Sequence, residues 1–339
     1  MNDLIMKRFN NLKLHLAPMA GFTDKAMRQI CSENGADITW SEMVSAEGLV
    51  HNPPLPTGRG SVSWRRDEGS FTRNKSLKLA ESFSGEKNYI VQIFGSNIES
   101  MVSATKIVEN KIHPKGININ LGCPVPKAKK AGYGACQMGE IPSVVKIIKK
   151  IKQNTSLPIS VKTRLGISNP KEILDFAPKL EKAGANELIV HARTLPGMFH
   201  QKPDWKIVKK LTTTLKIPII YNGGIKSPED AVFYAQKTGC LELMIGQAAI
   251  GNPWIFSQIK EYFQTGKYSF PNELEKKKTI LRHAELVEKY FGEKGFVIFR
   301  AHLASYLKNI PDAGAWRARA VQIKNLNDVK EIIKEIHFN

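Results

Sequence analysis

The stretch "IPIIYNGGIKSPEDAVFYAQKTGCLELMIG", Ile217 to Gly246, contains one complete strand–helix–strand step. Ile219–Asn222 is an apolar run that closes on Gly223 and Gly224, and Leu243–Ile245 is another that closes on Gly246. Between them, SPEDAVFYAQKTG offers a serine to cap a helix, a proline at the first helical position and a glycine to end it. Two short strands joined by such a helix are expected side by side and parallel.

The same step repeats outward from this stretch. Further apolar runs at Leu14–Ala17, Ile38–Trp40, Ile90–Ile93, Gly116–Asn120, Ile159–Lys162 and Glu187–His191 complete a set of eight strands. In VVKIIKKIKQ, Val144, Ile147, Ile148 and Ile151 recur at the spacing of an amphipathic helix that covers a sheet. Strand and helix alternating through some 250 residues predict an α/β fold, a (β/α)8 TIM barrel, with an open doubly wound sheet as the alternative. After GNPWIFSQI no strand-like run follows. Val329, Ile332, Ile333 and Ile336 form one helical stripe and Phe296, Phe299 and Leu303 another, so the expected organisation is a barrel over residues 1–260 and a small C-terminal helical domain over 261–339. Residues 51–75 lack apolar periodicity and read as a long loop insertion after the second strand.

The 339 residues carry 50 Lys and Arg against 31 Asp and Glu, a formal charge of +19, which favours a polyanionic partner, nucleic acid or an anionic membrane surface. The four cysteines, Cys31, Cys123, Cys136 and Cys240, show neither CxxC spacing nor the density of a disulfide scaffold, and no residue set reads as metal ligands. The opening MNDLIMKRFNNLKLHLAPMAG lacks the pattern of a secretory leader, and no run approaches the length of a membrane span. The expectation is a cytoplasmic chain with no membrane association and no obligate protein partner.

In such barrels the chemistry collects at the C-terminal ends of the strands. Read in order, those ends present Pro18-Met19-Ala20, Glu42, Gln92, Asn120 with Cys123, Lys162 with Arg164, His191 with Arg193, Asn222-Gly223-Gly224, and Gly246-Gln247. Any one of these polar residues alone reads as a hydrogen-bonded strand cap; eight ends together read as a site. The glycine turns after strands seven and eight lie where barrels bind phosphate, because glycine lets backbone N–H groups approach an anion. Lys162 and His191 suit a cofactor that gains negative charge in the reaction, as a flavin does on reduction.

The motifs LAPMAGFTD, SEMVSAEGL, VQIFGS, ININLGCPVPKAKKAGYGACQM, VKTRLG, VHARTLPGMFHQKPDW, YNGGI and MIGQAAIGNPWIF, followed by EKGFVIFRAHLASYLKNIP, resemble the successive motifs of the tRNA-dihydrouridine synthases over nearly the whole chain. The resemblance implies an FMN-dependent barrel with a helical RNA-binding domain that reduces uridines of tRNA with NADPH as electron donor. It implies that Pro18, Met19 and Ala20 line the flavin, that Gln92 and Lys162 bond its ring beside His191, and that Asn222, Gly223, Gly224, Gly246 and Gln247 hold its phosphate. Members usually have arginine where this chain has Gln247, so that side-chain contact is weakened.

Within that reading Cys123 is the catalytic acid. Hydride delivered to uracil C6 leaves an enolate-like carbanion at C5, and a thiol, mostly protonated at neutral pH, can supply the proton. Asn120 is expected on the uracil edge, and Arg164 and Arg193 on its carbonyls or on neighbouring phosphates. A stacked uridine has to be flipped out to reach a barrel mouth, and Lys276, Lys277, Lys278, Arg282, Arg300, Lys308, Arg317 and Arg319 are candidates for the backbone contacts that offset this. In the insertion, Arg59, Arg65, Arg66 and Arg73 with Trp64 and Phe71 are further candidates. Competing readings are the same reaction on ribosomal RNA, a flavin barrel reducing a free pyrimidine, and a non-catalytic RNA-binding barrel.

Overall fold

A computed structural model describes residues 11–51, 75–198, 200–308 and 310–338. The arginines and aromatics singled out between residues 52 and 74 lie outside the described residues. Strands β1 (Lys13–Leu16), β2 (Thr39–Ser45), β3 (Tyr89–Phe94), β4 (Gly116–Leu121), β5 (Ile159–Gly166), β6 (Glu187–Thr194), β7 (Ile219–Asn222) and β8 (Glu242–Ile245) form one sheet in the order β1-β8-β7-β6-β5-β4-β3-β2. That order runs round without a switch point, so the fold is the (β/α)8 barrel and not the doubly wound alternative. Strands β2, β5 and β6 run past the ends of their apolar runs, because polar residues such as Ser41, Thr163 and Arg193 are buried in them.

The chain divides into two compact units: Ser41–Gln201 with Leu215–Pro218, and the described residues up to Trp40 with Lys202–Thr214 and everything from Ile219 on. In the second unit β1 pairs with β8, Leu14 opposite Leu243 and Leu16 opposite Ile245, and Asn222 of β7 pairs with Met244 of β8. His15 bridges to Ile38 at the entry to β2. The indole of Trp40 donates to His15 Nδ1 at 3.2 Å, so Nε2 carries the hydrogen shared with Glu242 Oε2 at 2.7 Å. The expected cap of helix Pro228–Thr238 is present as a full capping box between Ser227 and Asp230, and Gly239 ends it at φ 79°.

The C-terminal helices Glu273–Phe291, Phe296–Tyr306, Ala313–Ala320 and Leu326–Glu335 belong to this same unit. The anticipated stripes face inward: Phe296, Phe299 and Leu303 join Val329, Ile332, Ile333 and Ile336 in one apolar core, which also takes Ala26 and Ile30 from helix Lys25–Glu33. Arg282 reinforces that contact with an ion pair to Glu33 at 2.9 Å. In the other unit, helix Ile141–Lys152 buries Val144, Ile147, Ile148 and Ile151 as the spacing predicts. Among the described residues no helix is long and apolar enough to cross a membrane.

Gly251 and Gly266 are both left-handed, at φ 74° and 75°, yet differ in surroundings. A Cβ on Gly251 would fall 2.5 Å from the backbone C and O of Ser305, whereas nothing lies within 4 Å of one on Gly266. Gly266→Ala should therefore lose only the left-handed penalty, about 1–2 kcal/mol, and Gly251→Ala about 1–3 kcal/mol more from overpacking. Urea unfolding midpoints of the two variants check this; equal losses would show that the Ser305 backbone yields freely.

Candidate active site

The sequence motif GININLGC places two asparagines two residues apart on β4, which puts both side chains on one face. Across the sheet, Gln92 of β3, Asn118 of β4 and Ser160 of β5 are in register. They bond in a chain: Gln92 Nε2 donates to Asn118 Oδ1 at 2.6 Å, and Asn118 Nδ2 donates to Ser160 Oγ at 2.9 Å. Ser41 Oγ of β2 accepts the backbone N–H of Gln92 at 2.9 Å. Asn118, Ser160 and Ser41 were not among the expected site residues. The period-two spacing of Asn118 and Asn120 was the available signal, whereas nothing local distinguishes the two serines.

Above that layer Asn120 lies in register with Lys162. Its Nδ2 donates to Gln92 Oε1 at 2.7 Å and to the sulfur of Met43 at 3.0 Å. Its Oδ1 accepts the backbone N–H groups of Gly122 and Cys123, both at 3.1 Å. The carbonyl of Cys123 accepts in turn from Ala135 N–H at 3.1 Å. Gly134, at φ 78°, packs so closely that a Cβ would lie 2.9 Å from that carbonyl. Cys123 is thus fastened from the strand on one side and from the lysine- and glycine-rich loop on the other, with only 8% of its surface exposed.

A cationic group surrounds it. Burial pushes the Lys162 ammonium down to about 7, Arg164 adds to the effect, and the nearby Cys123 opposes it. Burial, with Arg193 adding, lowers the Arg164 guanidinium to about 10. Arg164 donates to the carbonyls of Gly122 at 2.9 Å, Thr194 at 3.2 Å and Met198 at 3.4 Å, so it ties the loops after β4 and β6. Arg193 donates to the Gln201 carbonyl and, at 3.0 Å, to His191 Nε2. Because an arginine only donates, His191 Nε2 is the acceptor and Nδ1 carries the ring hydrogen. Burial and the charges of Lys162, Arg164 and Arg193 hold His191 well below the usual histidine range, which keeps it neutral.

The other expected residues fall in the second unit. Asn222 Nδ2 donates to the Met244 carbonyl at 2.8 Å, which anchors the turn of Gly223 and Gly224 at φ 113° and 77°. A Cβ on Gly224 would fall 2.5 Å from Pro203 Cγ and 2.8 Å from the Tyr234 hydroxyl, so any other residue would have to displace both, in a left-handed backbone. Gly246 opens a short 3-10 turn, Gln247–Ala249, with Gln247 exposed. After β1, Ala17 N–H reaches the Ile245 carbonyl at 2.8 Å, and Met19 exchanges bonds with Thr23 Oγ1 at 2.9 and 3.2 Å. Met19 sulfur lies 3.5 Å from where a Gly246 Cβ would stand, so the turns after β1 and β8 adjoin.

The remaining cysteines are elsewhere: burial raises Cys31 far above the thiol range and Cys240 to about 11, and Cys136 Sγ lies 3.2 Å from the Tyr133 carbonyl. Among the described residues no group of three or more side chains is placed to hold a metal ion.

Residues 15–338, which hold every one of these groups, match the sequence family described as Dihydrouridine synthase (Dus). The chain belongs to the dihydrouridine synthase family. As a member it is an oxidoreductase that forms dihydrouridine. Among its relatives are a probable tRNA-dihydrouridine synthase of Helicobacter pylori strain ATCC 700392 / 26695, 34% identical over 98% of this chain and 94% of that one, and tRNA-dihydrouridine synthase B of Vibrio vulnificus, 33% identical over 90% and 89%. Two solved structures share the fold. A histamine dehydrogenase from Rhizobium sp. 4-9 has a TM-score of 0.56 at 10% identity, covering 82% of this chain and 51% of that one. A 2-naphthoyl-CoA reductase has a TM-score of 0.55 at 14% identity, covering 74% and 50%. The chain spans about half the length of those two structures.

Lys162 makes this dihydrouridine synthase sensitive to pH in a defined direction. Its folded value of about 7 lies below the ordinary 10.5, so between these limits the unfolded chain holds a proton that the folded protein has released, and this group's contribution to stability rises with pH. In ligand-free protein the stability of Lys162→Met relative to wild type should therefore fall between about pH 7 and pH 10. Urea unfolding of both proteins across that range checks the sign; a difference independent of pH would mean that the buried group is not Lys162.

Proposed function

We propose that the protein reduces the C5–C6 double bond of particular uridines in tRNA to 5,6-dihydrouridine, with FMN as cofactor, NADPH as electron donor and Cys123 as the acid that protonates C5. The observation that carries this reading is the seat of Cys123, fixed through Asn120 and Ala135 beside Lys162 and Arg164. Membership of the family and the names of its relatives supply the substrate class.

The donor chemistry at the strand ends fits a flavin. Gln92 and Lys162 offer an amide and an ammonium for ring carbonyls and for the charge that reduction adds, beside a neutral His191. The Asn222–Gly224 and Gly246–Gln247 turns offer backbone N–H groups for a phosphate, with Gln247 supplying an amide where most members have a cation. Pro18, Met19 and Ala20 are assigned to the flavin's surroundings. When bound, the flavin supplies a hydride to uracil C6.

The chain's own residues do the rest. Cys123 moves its thiol proton to C5, and the thiolate left behind is held by the charges of Lys162 and Arg164. Asn120 keeps that sulfur in place by gripping the backbone of Gly122 and Cys123. Its expected contact with the uracil edge requires its NH2 to leave Met43 sulfur, the weaker of its two acceptors. Arg164 and Arg193 hold the loops in place through backbone carbonyls while lending positive charge to uracil carbonyls or phosphate. RNA contacts are assigned to the basic residues of the C-terminal helices. Arg282 and Arg319 are paired with Glu33 and Glu335 at the surface, which leaves Lys278 and Lys308 as stronger candidates than those two.

Purified protein should be yellow and release FMN on denaturation, and RNA from a deletion strain should contain uridines that fail to gain one H2 by mass spectrometry. Colourless protein that takes up no added FMN, or unchanged RNA, would sink the assignment. Cys123→Ala should keep flavin reduction by NADPH and lose dihydrouridine formation by about 10²–10⁴, while Cys136→Ala stays near wild type. A Cys123→Ala enzyme as fast as wild type would mean that another group delivers the proton.

A further inference from the structure

Two turns assigned above to the flavin rest on one C-terminal helix. The turn after β1 closes through Phe22 and Thr23 N–H groups, both 3.0 Å from the Met19 carbonyl, and it sets the Phe22 ring edge-on to His302 at 5.5 Å between centroids. The turn after β8 lays Gly251 on the backbone of Ser305 and Tyr306, and Trp254 on the Tyr306 ring at 6.1 Å. His302, Ser305 and Tyr306 all lie on helix Phe296–Tyr306. Behind His302 the packing is closed: His283 lies 4.9 Å away, edge-on to Phe299, and its Nδ1 is 3.2 Å from the Tyr306 hydroxyl.

His302 and His283 are fully buried, and neither ring nitrogen of His302 reaches a partner at hydrogen-bond geometry, so what this side chain offers its neighbours is chiefly its ring. Burial holds His302 at about 4, so the ring is neutral, and the Phe22 backbone acts in the opposite direction. The polar neighbour felt by this imidazole is therefore the same turn that its ring packs against. Gly21 of that turn is left-handed at φ 76°.

We propose that His302 is a positioning residue for the flavin: its imidazole is the wall that fixes Phe22, and through the Met19–Thr23 turn it fixes Met19 against Gly246. Helix Phe296–Tyr306 then belongs to the cofactor site as well as to the helical region that the RNA is proposed to meet. This rests on the assignment of Pro18–Ala20 and Gly246–Gln247 to the flavin.

The test uses full-length holoenzyme and measures flavin affinity and the visible absorption and circular dichroism bands of the bound flavin. Phe22→Ala, at a half-buried position, and His302→Ala should each weaken flavin binding about three- to tenfold, the worth of one aromatic pair, and shift the visible bands. The double variant should be no worse than the weaker single one, because both remove the same contact. His302→Phe should restore the ring wall and with it most of the affinity. A Phe22→Ala protein that melts cooperatively and binds flavin with wild-type affinity and spectrum would overturn the proposal, as would additive losses in the double variant. Wild-type protein that binds no flavin would instead remove the cofactor assignment, and the proposal with it.

Discussion

The region around Cys123 depends on how one buried amide is satisfied. Asn120 has two acceptor positions and two donor hydrogens, and all four are used: the oxygen takes Gly122 and Cys123 N–H, and the nitrogen gives to Gln92 and Met43. An amide so engaged has one orientation, because a flip would set its nitrogen against two backbone N–H groups. The position of the Cys123 backbone follows from that orientation, and the neighbouring loop follows from Cys123, whose carbonyl receives Ala135 N–H. Gln92, Asn118 and Ser160 continue the same network downward, so the thiol is anchored to the middle of the sheet and not to a flexible loop.

Lys162 and Arg164 both interact with that thiol, and Arg193 acts on Arg164. These charges are accommodated by two routes. The arginines are tied to backbone carbonyls, which carry partial negative charge, and Lys162 is driven toward its neutral form. His191 responds by staying neutral and accepting from Arg193. A region built this way favours negative charge brought into it.

Most of the fold was legible in the sequence. Each strand was visible as a short apolar run, β7 to the residue, and helix Pro228–Thr238 was visible from its capping serine and terminal glycine. The misses have one cause. Strands β2, β5 and β6 continue through polar residues, and an apolar-run reading stops where polarity begins; only long-range hydrogen bonds make Ser41, Thr163 and Arg193 buried strand residues. For the same reason the positions of Asn120, Cys123, Lys162 and His191 at strand ends could be anticipated, but not the bonds that join Asn120 to Cys123 and Arg164 to Gly122. The seam of His15, Trp40 and Glu242 gave no local signal, since its members lie far apart in the chain.

The pairing of β1 with β8 has a consequence for how the protein is made. Lys13 waits for Glu242, and Ala26 and Ile30 wait for a core whose last members are Ile336 and Phe338. The unit spanning Ser41–Gln201 is nearly continuous in sequence, so a ribosome can release it to fold while the chain is still growing. The unit that holds β1, β7, β8 and the C-terminal helices cannot close until Ile336 and Phe338 have been made. Until then the edge of β1 and the apolar face of helix Lys25–Glu33 are open surfaces for a chaperone to shield, and the Cys123 region can be in place before the glycine turns are.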